Sequence, residues 1–165
     1  MKITIHEDTE ADRLTICIED NGKGMDKDFL EKVMDPFVTT RTSRKVGLGI
    51  PLMQAACRRC GGDLFMESEK NVGTRLTATF KHSHIDRAPM GDMAETMLIL
   101  ILAGSDNSRI VDFVYRHIFD HKEFRLDTRE MRTALGSDVN LGEPDVLMWT
   151  KDFINVGLKN LRGGV

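Results

Sequence analysis

The sequence predicts an α+β fold, organised as a two-layer α/β sandwich over residues 1–82 with a small α+β C-terminal appendage over residues 83–165. Three observations support this fold class. Apolar residues near the N-terminus alternate with polar ones, as in half-buried strands. Segments with helical spacing are bounded by glycine or proline. The pattern then changes between Lys81 and Met90, where we place the domain boundary.

Two strands are predicted at the start of the chain. Ile3 and Ile5 alternate with polar neighbours, and Leu14, Ile16 and Ile18 do the same after a short polar loop. Alternation with a period of two places each apolar set on one face of a sheet. Two glycines then end the second strand.

A short helix follows from Asp26 and ends at Pro36, because the residue before a proline disfavours the helical conformation. Its predicted inward residues are Phe29, Leu30, Val33 and Met34. Residues 38–46 are rich in Thr, Ser, Arg and Lys, which predicts a polar, mobile loop.

A longer helix is predicted from about Gly49 to Cys60, with Pro51 tolerated in its first turn. One face of it carries Ile50, Met53, Cys57 and Cys60, so we interpret both cysteines as core residues and not as a metal site. Two further strands are predicted over residues 63–68 and 74–81, the second with Leu76, Ala78 and Phe80 inward.

The C-terminal segment predicts a helix, a hairpin and two more helices. Asp92 and Glu95 resemble a capping box at the start of an apolar helix that ends near Gly104. Residues 111–119 and 123–126 read as a hairpin around residues 120–122.

The last two predicted helices each have their own boundary signals. Thr128 is expected to cap a short helix that Gly136 closes, and Pro144 marks the start of a final helix reaching about Leu161. That helix is expected to pack on the hairpin through a face formed by Trp149, Phe153 and Val156.

Composition limits the functional classes. The chain is 41% hydrophobic and 30% charged, which is typical of a globular protein, and its net charge of −3 gives no reason to expect nucleic acid. Three cysteines with no secretory leader favour a reducing compartment. No apolar run approaches the ~20 residues of a membrane span. We therefore expect a soluble, cytoplasmic protein.

The functional prediction depends on four segments in a fixed order. Asp20-x-Gly22-x-Gly24-Met25 lies at a strand end, and Asp35-Pro36-Phe37 follows the short helix. Val46-Gly47-Leu48-Gly49-Ile50 opens the long helix, and Val72-Gly73-Thr74 begins the last strand of the first domain. Each segment alone is common in proteins, whereas all four in this order are not.

Each segment has a chemical use in nucleotide binding. Gly22 and Gly24 let backbone approach a flat ring, and Asp20 offers a carboxylate to an exocyclic amine. Gly47 and Gly49 precede a helix whose free N–H groups favour phosphate oxygens. The preceding Arg41, Arg44 and Lys45 add positive charge.

These motifs resemble the boxes of the GHKL superfamily, which includes sensor histidine kinases, anti-sigma-factor kinases, gyrase and MutL. Residues 20–25 resemble its first glycine box and residues 35–40 its phenylalanine box. Residues 47–50 resemble the second glycine box and residues 73–74 the third. The resemblance covers about residues 2–81, and the kinase-like branch fits best.

The resemblance implies a Bergerat-type fold with ATP between a mixed sheet and a mobile lid formed by residues 38–46. Asp20 would accept from the adenine amine with help from Thr74, and residues 47–49 would wrap the phosphates. The full set of predicted nucleotide-binding residues is Asp20, Gly22, Gly24, Met25, Phe37, Thr40, Arg41, Gly47, Leu48, Gly49 and Thr74.

The family's asparagine-box helix, which holds Mg²⁺, has no counterpart here, since Met1 already lies in the first strand. We therefore expect a weakened Mg²⁺ site, assign no metal ligand or catalytic residue, and expect Ile3, Ile5, Ile16 or their neighbours to be left uncovered. These features led us to the hypothesis that the chain is a fragment of a longer protein, and no phosphoacceptor histidine is evident.

Two functional hypotheses remain open from sequence. The first is the ATP-binding core of a histidine- or serine-kinase-like protein that phosphorylates a partner protein in signal transduction. The second is a non-catalytic module that responds to nucleotide and signals to a partner through residues 83–165. A structural remnant that binds nothing is a third, weaker possibility.

Overall fold

In a computed structural model of the chain, residues 1–33, 48–105, 110–136 and 139–163 are described. Within them the fold is α+β, as predicted. The strands are β1 (Lys2–Asp8), β2 (Arg13–Asp20), β3 (Leu64–Glu69), β4 (Gly73–Lys81), β5 (Val114–Phe119) and β6 (Lys122–Asp127). The helices are α1 (Lys27–Lys32), α2 (Gly49–Arg59), α3 (Met93–Gly104), α4 (Thr128–Leu135) and α5 (Pro144–Leu161). No helix in the described ranges has the length and apolar content to cross a lipid bilayer.

The chain divides into two compact units, which we call the N-unit (Thr4–Arg87) and the C-unit (Met1–Ile3 with Ala88–Val165). In the N-unit the strand order is β3-β4-β2-β1, and β4 pairs antiparallel with both β2 and β3. Helix α2 contacts β3 and β4, so one face of this sheet is covered by a helical layer.

The N-unit core confirms the inward residues predicted for α2 and β4. Cys57, Leu64 and Ala78 form a buried cluster, against which Ile16, Ile50, Met53, Leu76 and Phe80 pack. Cys60 is also buried at 3% exposure. Burial raises the pKa of the Cys57 thiol, since the charged thiolate is disfavoured away from water. Both cysteines therefore serve as core residues.

Helix α1 is shorter and less buried than predicted. Asp26 caps it by accepting a 2.9 Å hydrogen bond from the Phe29 N–H. Phe29, Leu30 and Val33 are only half-buried. The predicted Met34 and Pro36 lie outside the described residues.

The expectation that Ile3, Ile5 and Ile16 would be uncovered is wrong. Ile3 and Ile5 are 6% and 2% exposed, and Ile16 packs in the cluster under α2. Within the C-unit, the Met1 amine donates to the Asp112 carbonyl at 2.6 Å and the Met1 carbonyl accepts from the Val114 N–H at 2.9 Å. This is a parallel pairing pattern. The start of the chain therefore pairs with the segment around residue 113, a pairing that the sequence pattern did not reveal.

In the C-unit, helix α5 packs on α3 and on the β5–β6 hairpin. Asp92 caps α3 by accepting from the Glu95 N–H at 2.9 Å, as predicted. The buried residues of α5 are Thr150, Ile154 and Leu161. Gly157 lies so close to Phe124 of β6 that an added Cβ would be 2.1 Å from the ring.

The predicted contact face of α5 is mostly wrong. Trp149 and Val156 are 56% and 59% exposed. Phe153 does reach the hairpin, with its ring centroid 5.4 Å from that of Phe124, and Trp149 stacks on the outer side of Phe153 at 5.2 Å. The face that packs is rotated from the predicted one because Gly157 allows the backbone of α5 to approach Phe124 closely.

The predicted cap of α4 is displaced by one residue. Asp127, not Thr128, is the N-cap, and its carboxylate accepts from the Arg129 N–H at 3.0 Å. The Thr128 hydroxyl instead accepts from the Phe113 N–H at 2.9 Å. The Thr128 side chain therefore connects the start of α4 to Phe113, the residue before β5. Gly136 closes the helix, as predicted.

Candidate functional site

Three polar side chains form a row across the N-unit sheet where its apolar face ends. Asp20 of β2 lies opposite Thr74 of β4, and Thr74 lies opposite Ser68 of β3. Residues directly opposite each other on antiparallel strands point to the same face. The next row on the same face is apolar, being formed by Ile18, Leu76 and Met66, so this face changes from core to polar groups at Asp20, Thr74 and Ser68.

The glycine loop after β2 folds back over this row. The Gly22 N–H donates to Asp20 Oδ1 at 2.7 Å. Gly24 has φ of +59°, and a Cβ there would lie 1.9 Å from the carbonyl oxygen of Glu69. Only glycine fits this backbone approach, which brings the loop against the turn between β3 and β4.

The turn between β3 and β4 also contacts the glycine loop that follows β2. The Asn71 N–H donates to the Lys23 carbonyl at 2.7 Å. Gly73 has φ of +142°, and a Cβ there would lie 2.0 Å from the Asp20 carbonyl oxygen. The structure therefore brings the first and third glycine segments together, with Asp20, Gly22, Gly24, Met25 and Thr74 in one neighbourhood.

Ser68 joins these two segments through its hydroxyl and was missed by the sequence analysis. Its Oγ accepts from the Met25 N–H at 2.8 Å and lies 3.0 Å from both the Gly73 carbonyl oxygen and Thr74 Oγ1. One signal was available in the sequence. The period of two that directs Leu64 and Met66 inward also directs Ser68 inward.

An open depression of about 490 Å³ lies beside this row. Such a volume is within the range of small-ligand pockets. Its lining is formed by Glu19, Asp20, Glu67, Ser68, Glu69, Val72, Gly73, Thr74 and Arg75. By the period of two, Glu19, Glu67, Glu69 and Arg75 belong to the sheet face opposite the one that carries Asp20, Ser68 and Thr74.

The one arginine in the lining is engaged by a carboxylate. Arg75 Nη2 lies 2.6 Å from Glu19 Oε1, and this hydrogen bond raises the pKa of the guanidinium. This ion pair belongs to the sheet face opposite the row, so it leaves the hydrogen-bonding groups of Asp20 and Thr74 unchanged.

The predicted phosphate-binding segment is described only in part. Leu48 precedes α2 and is 47% exposed, and it provides no side-chain cap to the helix. No acidic residue occupies the first turn of α2, and a Cβ on Gly49 would meet open space. Neither residue lines the depression. Phe37, Thr40, Arg41, Gly47 and the proposed lid of residues 38–46 lie outside the described residues.

Comparison with known proteins finds one matching family and several similar sensor kinases. Residues 1–84 match the family described as histidine kinase-, DNA gyrase B-, and HSP90-like ATPase. The chain is 27% identical to the sensor kinase CckA of Brucella abortus over 158 residues, covering 84% of this chain and 17% of that protein. This similarity covers more of the chain than the family match does, so it extends beyond residue 84.

Two further relatives match a shorter part of the chain. It is 37% identical over 68 residues to a probable C4-dicarboxylate sensor kinase of Halalkalibacterium halodurans, which covers 41% of this chain and 13% of that protein. It is 40% identical over 62 residues to the signal transduction histidine-protein kinase AtoS of Escherichia coli, which covers 38% of this chain and 10% of that protein. The matched regions span less than a fifth of the length of these relatives. With half of its residues matched, the chain belongs to the family of histidine kinase-, DNA gyrase B- and HSP90-like ATPases and carries an ATP-binding, kinase-like domain.

Proposed function

We propose that the N-unit binds the adenine of ATP at the Asp20–Thr74–Ser68 row and serves as the ATP-binding core of a kinase that phosphorylates a partner protein. The observation that carries this proposal is the carboxylate of Asp20, which lies on the same sheet face as Thr74 and Ser68. Asp20 Oδ1 is held by the Gly22 N–H. Its Oδ2 has no hydrogen bond to another described residue, so it is available to the 6-amino group of adenine.

The Asp20 carboxylate supports a base-binding role for the row. It would repel phosphates, so we assign them to another part of the site. At the start of α2 the N-cap residue Leu48 provides no side-chain cap, so the N–H groups of the first turn and the positive end of the helix dipole favour anions. We assign the phosphates to that helix start, with Gly47, Leu48, Gly49, Thr40 and Arg41 as predicted contacts.

Mg²⁺ is the usual companion of ATP in this family. Among the residues described by the structure, no three His, Cys, Asp or Glu side chains lie close enough to form a metal site. Mg²⁺ can be held by one or two protein oxygens plus phosphates, so the proposal assigns it no ligand in this chain. When bound, it would neutralise charge on the transferred phosphoryl group.

The domain division is part of the proposal. Residues 1–82 would form the nucleotide-binding domain, and residues 83–165 would form a second domain that contacts the partner protein. The similarity to the sensor kinase of Brucella abortus beyond residue 84 supports a role for this segment in a kinase. A non-catalytic module that only reports bound nucleotide is the alternative.

The binding proposal is tested by titrating ATP into the full chain and its Asp20→Asn variant by calorimetry. Loss of the carboxylate at a specific polar contact is expected to weaken binding by about 1–3 kcal/mol. Asp86→Asn removes the same charge from an exposed position away from the site and is expected to bind like the unsubstituted chain. Equal affinity of the Asp20→Asn variant would refute the adenine assignment.

The catalytic part needs a separate measurement. We expect labelled phosphate to pass from ATP to a candidate partner protein in the presence of Mg²⁺, and Gly47→Ala to abolish this transfer. ATP binding without transfer to any acceptor would favour the non-catalytic alternative.

A further inference from the structure

Ser68 makes more hydrogen-bonding contacts than any predicted site residue whose position is described. A hydroxyl has one proton to donate and two lone pairs that accept. The Met25 N–H can only donate, and it occupies one lone pair of Ser68 Oγ. The Gly73 carbonyl oxygen can only accept, and it lies 3.0 Å from Ser68 Oγ. The proton of Ser68 is therefore directed to Gly73.

This assignment determines the direction of the remaining contact. Thr74 Oγ1 also lies 3.0 Å from Ser68 Oγ. With the Ser68 proton on Gly73, Thr74 must donate into the second lone pair of Ser68. The reverse direction would place two unprotonated oxygens, of Ser68 and Gly73, 3.0 Å apart without a hydrogen bond, which is unfavourable.

The proton of Thr74 is thus used within the protein, so its oxygen offers only lone pairs to a ligand on this face of the sheet. Asp20, directly opposite Thr74 on β2, is acceptor-only when ionised. Two neighbouring groups therefore present acceptors to a ligand. Both acceptors can receive hydrogen bonds from the 6-amino group of adenine. A purine with an oxygen at that position would bring a third acceptor and could donate no hydrogen bond to them.

We infer that Ser68 is a specificity-determining positioning residue, which orients the Thr74 hydroxyl as an acceptor and so makes the site select a 6-amino purine over a 6-oxo purine. The inference rests on the proposed function. Ser68 acts through Thr74 and needs no contact with the nucleotide.

The test compares ATP with inosine triphosphate, which carries an oxygen in place of the 6-amino group. Affinities of both nucleotides for the full chain are measured by calorimetry, for the unsubstituted protein and for Ser68→Ala. The unsubstituted protein is expected to prefer ATP by on the order of 100-fold. Ser68→Ala frees the Thr74 proton to donate to a 6-oxo group, so the preference is expected to fall by about tenfold.

Two matched variants separate orientation from general support of the fold. Ser68→Thr keeps the hydroxyl and is expected to retain the preference. Ser83→Ala removes a serine hydroxyl that bonds to Asp12, away from the row, and is expected to change neither affinity. A parallel loss of both nucleotides in Ser68→Ala, with an unchanged ratio, would show that Ser68 only supports the loop and would overturn the inference.

If Ser68→Ala folds poorly, a double-mutant cycle tests the inference independently. Thr74→Val removes the hydroxyl that Ser68 is inferred to orient. In that background Ser68→Ala or Ser68→Cys is expected to cause no further change in the ATP-to-inosine-triphosphate ratio. Additive effects would contradict the inference. Failure of the unsubstituted chain to bind ATP would instead overturn the proposed function, and the inference with it.

Discussion

Glycine serves different purposes in the two units. In the N-unit, a Cβ on Gly24, Gly62 or Gly73 would lie 1.9 to 2.0 Å from a backbone carbonyl oxygen. In the C-unit, the nearest neighbours of Gly104 and Gly157 are the rings of Phe113 and Phe124. The N-unit glycines allow backbone segments to meet closely, Gly24 and Gly73 beside the polar row and Gly62 beside Thr79, whereas the C-unit glycines allow helices to pack on aromatic rings. We therefore expect substitution of the N-unit glycines beside the row to affect the proposed ATP site, and substitution of the C-unit glycines to affect core packing.

The largest effect is expected for Gly73→Ala, which changes an N-unit glycine beside the proposed nucleotide site. The added Cβ would collide with the Asp20 carbonyl, and the φ of +142° is strained for alanine. We expect ATP binding to fall below detection and the N-unit to lose about 3 kcal/mol of unfolding free energy. Calorimetry and hydrogen exchange measure the two effects.

Gly91→Ala is the matched control, because a Cβ there would meet nothing within 4 Å. It should leave both quantities unchanged. Retention of ATP binding by Gly73→Ala would mean that the close approach of β4 to the Asp20 backbone is not needed by the site.

A smaller effect is expected for Gly157→Ala, confined to the C-unit. Overpacking against Phe124 should lower its unfolding free energy by about 2 kcal/mol with no change in ATP affinity. Trp149, the sole tryptophan, lies in α5 and reports this unfolding by fluorescence during urea titration. Phe124→Leu in the same background should restore part of the loss. A more stable Gly157→Ala chain would show that helix propensity, worth about 1 kcal/mol, outweighs the steric conflict.

The smallest effect is expected for Asp127→Asn, which tests how charge stabilises the C-unit. A hydrogen bond from the Arg129 side chain holds the pKa of Asp127 below its ordinary value. Because the folded pKa lies below the unfolded one, the stabilisation is complete above about pH 4 and is lost as the pH falls through the folded pKa. The Asp127 side chain is 2% exposed whereas that of Arg129 is 62% exposed, so solvent screens part of this contact and the expected effect is small.

Asn preserves the cap but not the ion pairs with Arg125 and Arg129. We expect a loss of about 1 kcal/mol at pH 7 and much less at pH 3. Urea midpoints from Trp149 fluorescence at the two pH values measure it. An equal loss at both pH values would mean that the ion pairs do not account for the stabilisation.

Much of the fold followed from local patterns in the sequence. The alternation at Ile3, Ile5 and Leu14 predicted strands, and the apolar face through Cys57 predicted α2 in the correct orientation. These succeed because strand and helix periodicities are local properties of the chain. The cap at Thr128 and the face at Trp149 were wrong, since the contacts that decide them join residues far apart in sequence.

Part of the candidate site was also predicted from the sequence. Asp20, Gly22, Gly24 and Thr74 were predicted from spacing and resemblance, and the structure brings them together. Ser68 was not found, because a serine near the end of a strand has no distinctive motif. Only the register of β3 against β4 places its hydroxyl between Met25 and Thr74.

The sequence by itself determined which residues form strands and helices, the family of the chain and the glycines that permit close backbone approach. The tertiary structure alone decided which chemical groups meet: Ser68 with Met25 and Thr74, Gly157 with Phe124, and Met1 with Asp112 and Val114. The physical reason is that periodicity is encoded over a few neighbouring residues. Register and packing angle instead depend on steric fit and hydrogen bonds between segments that only the folded chain brings together.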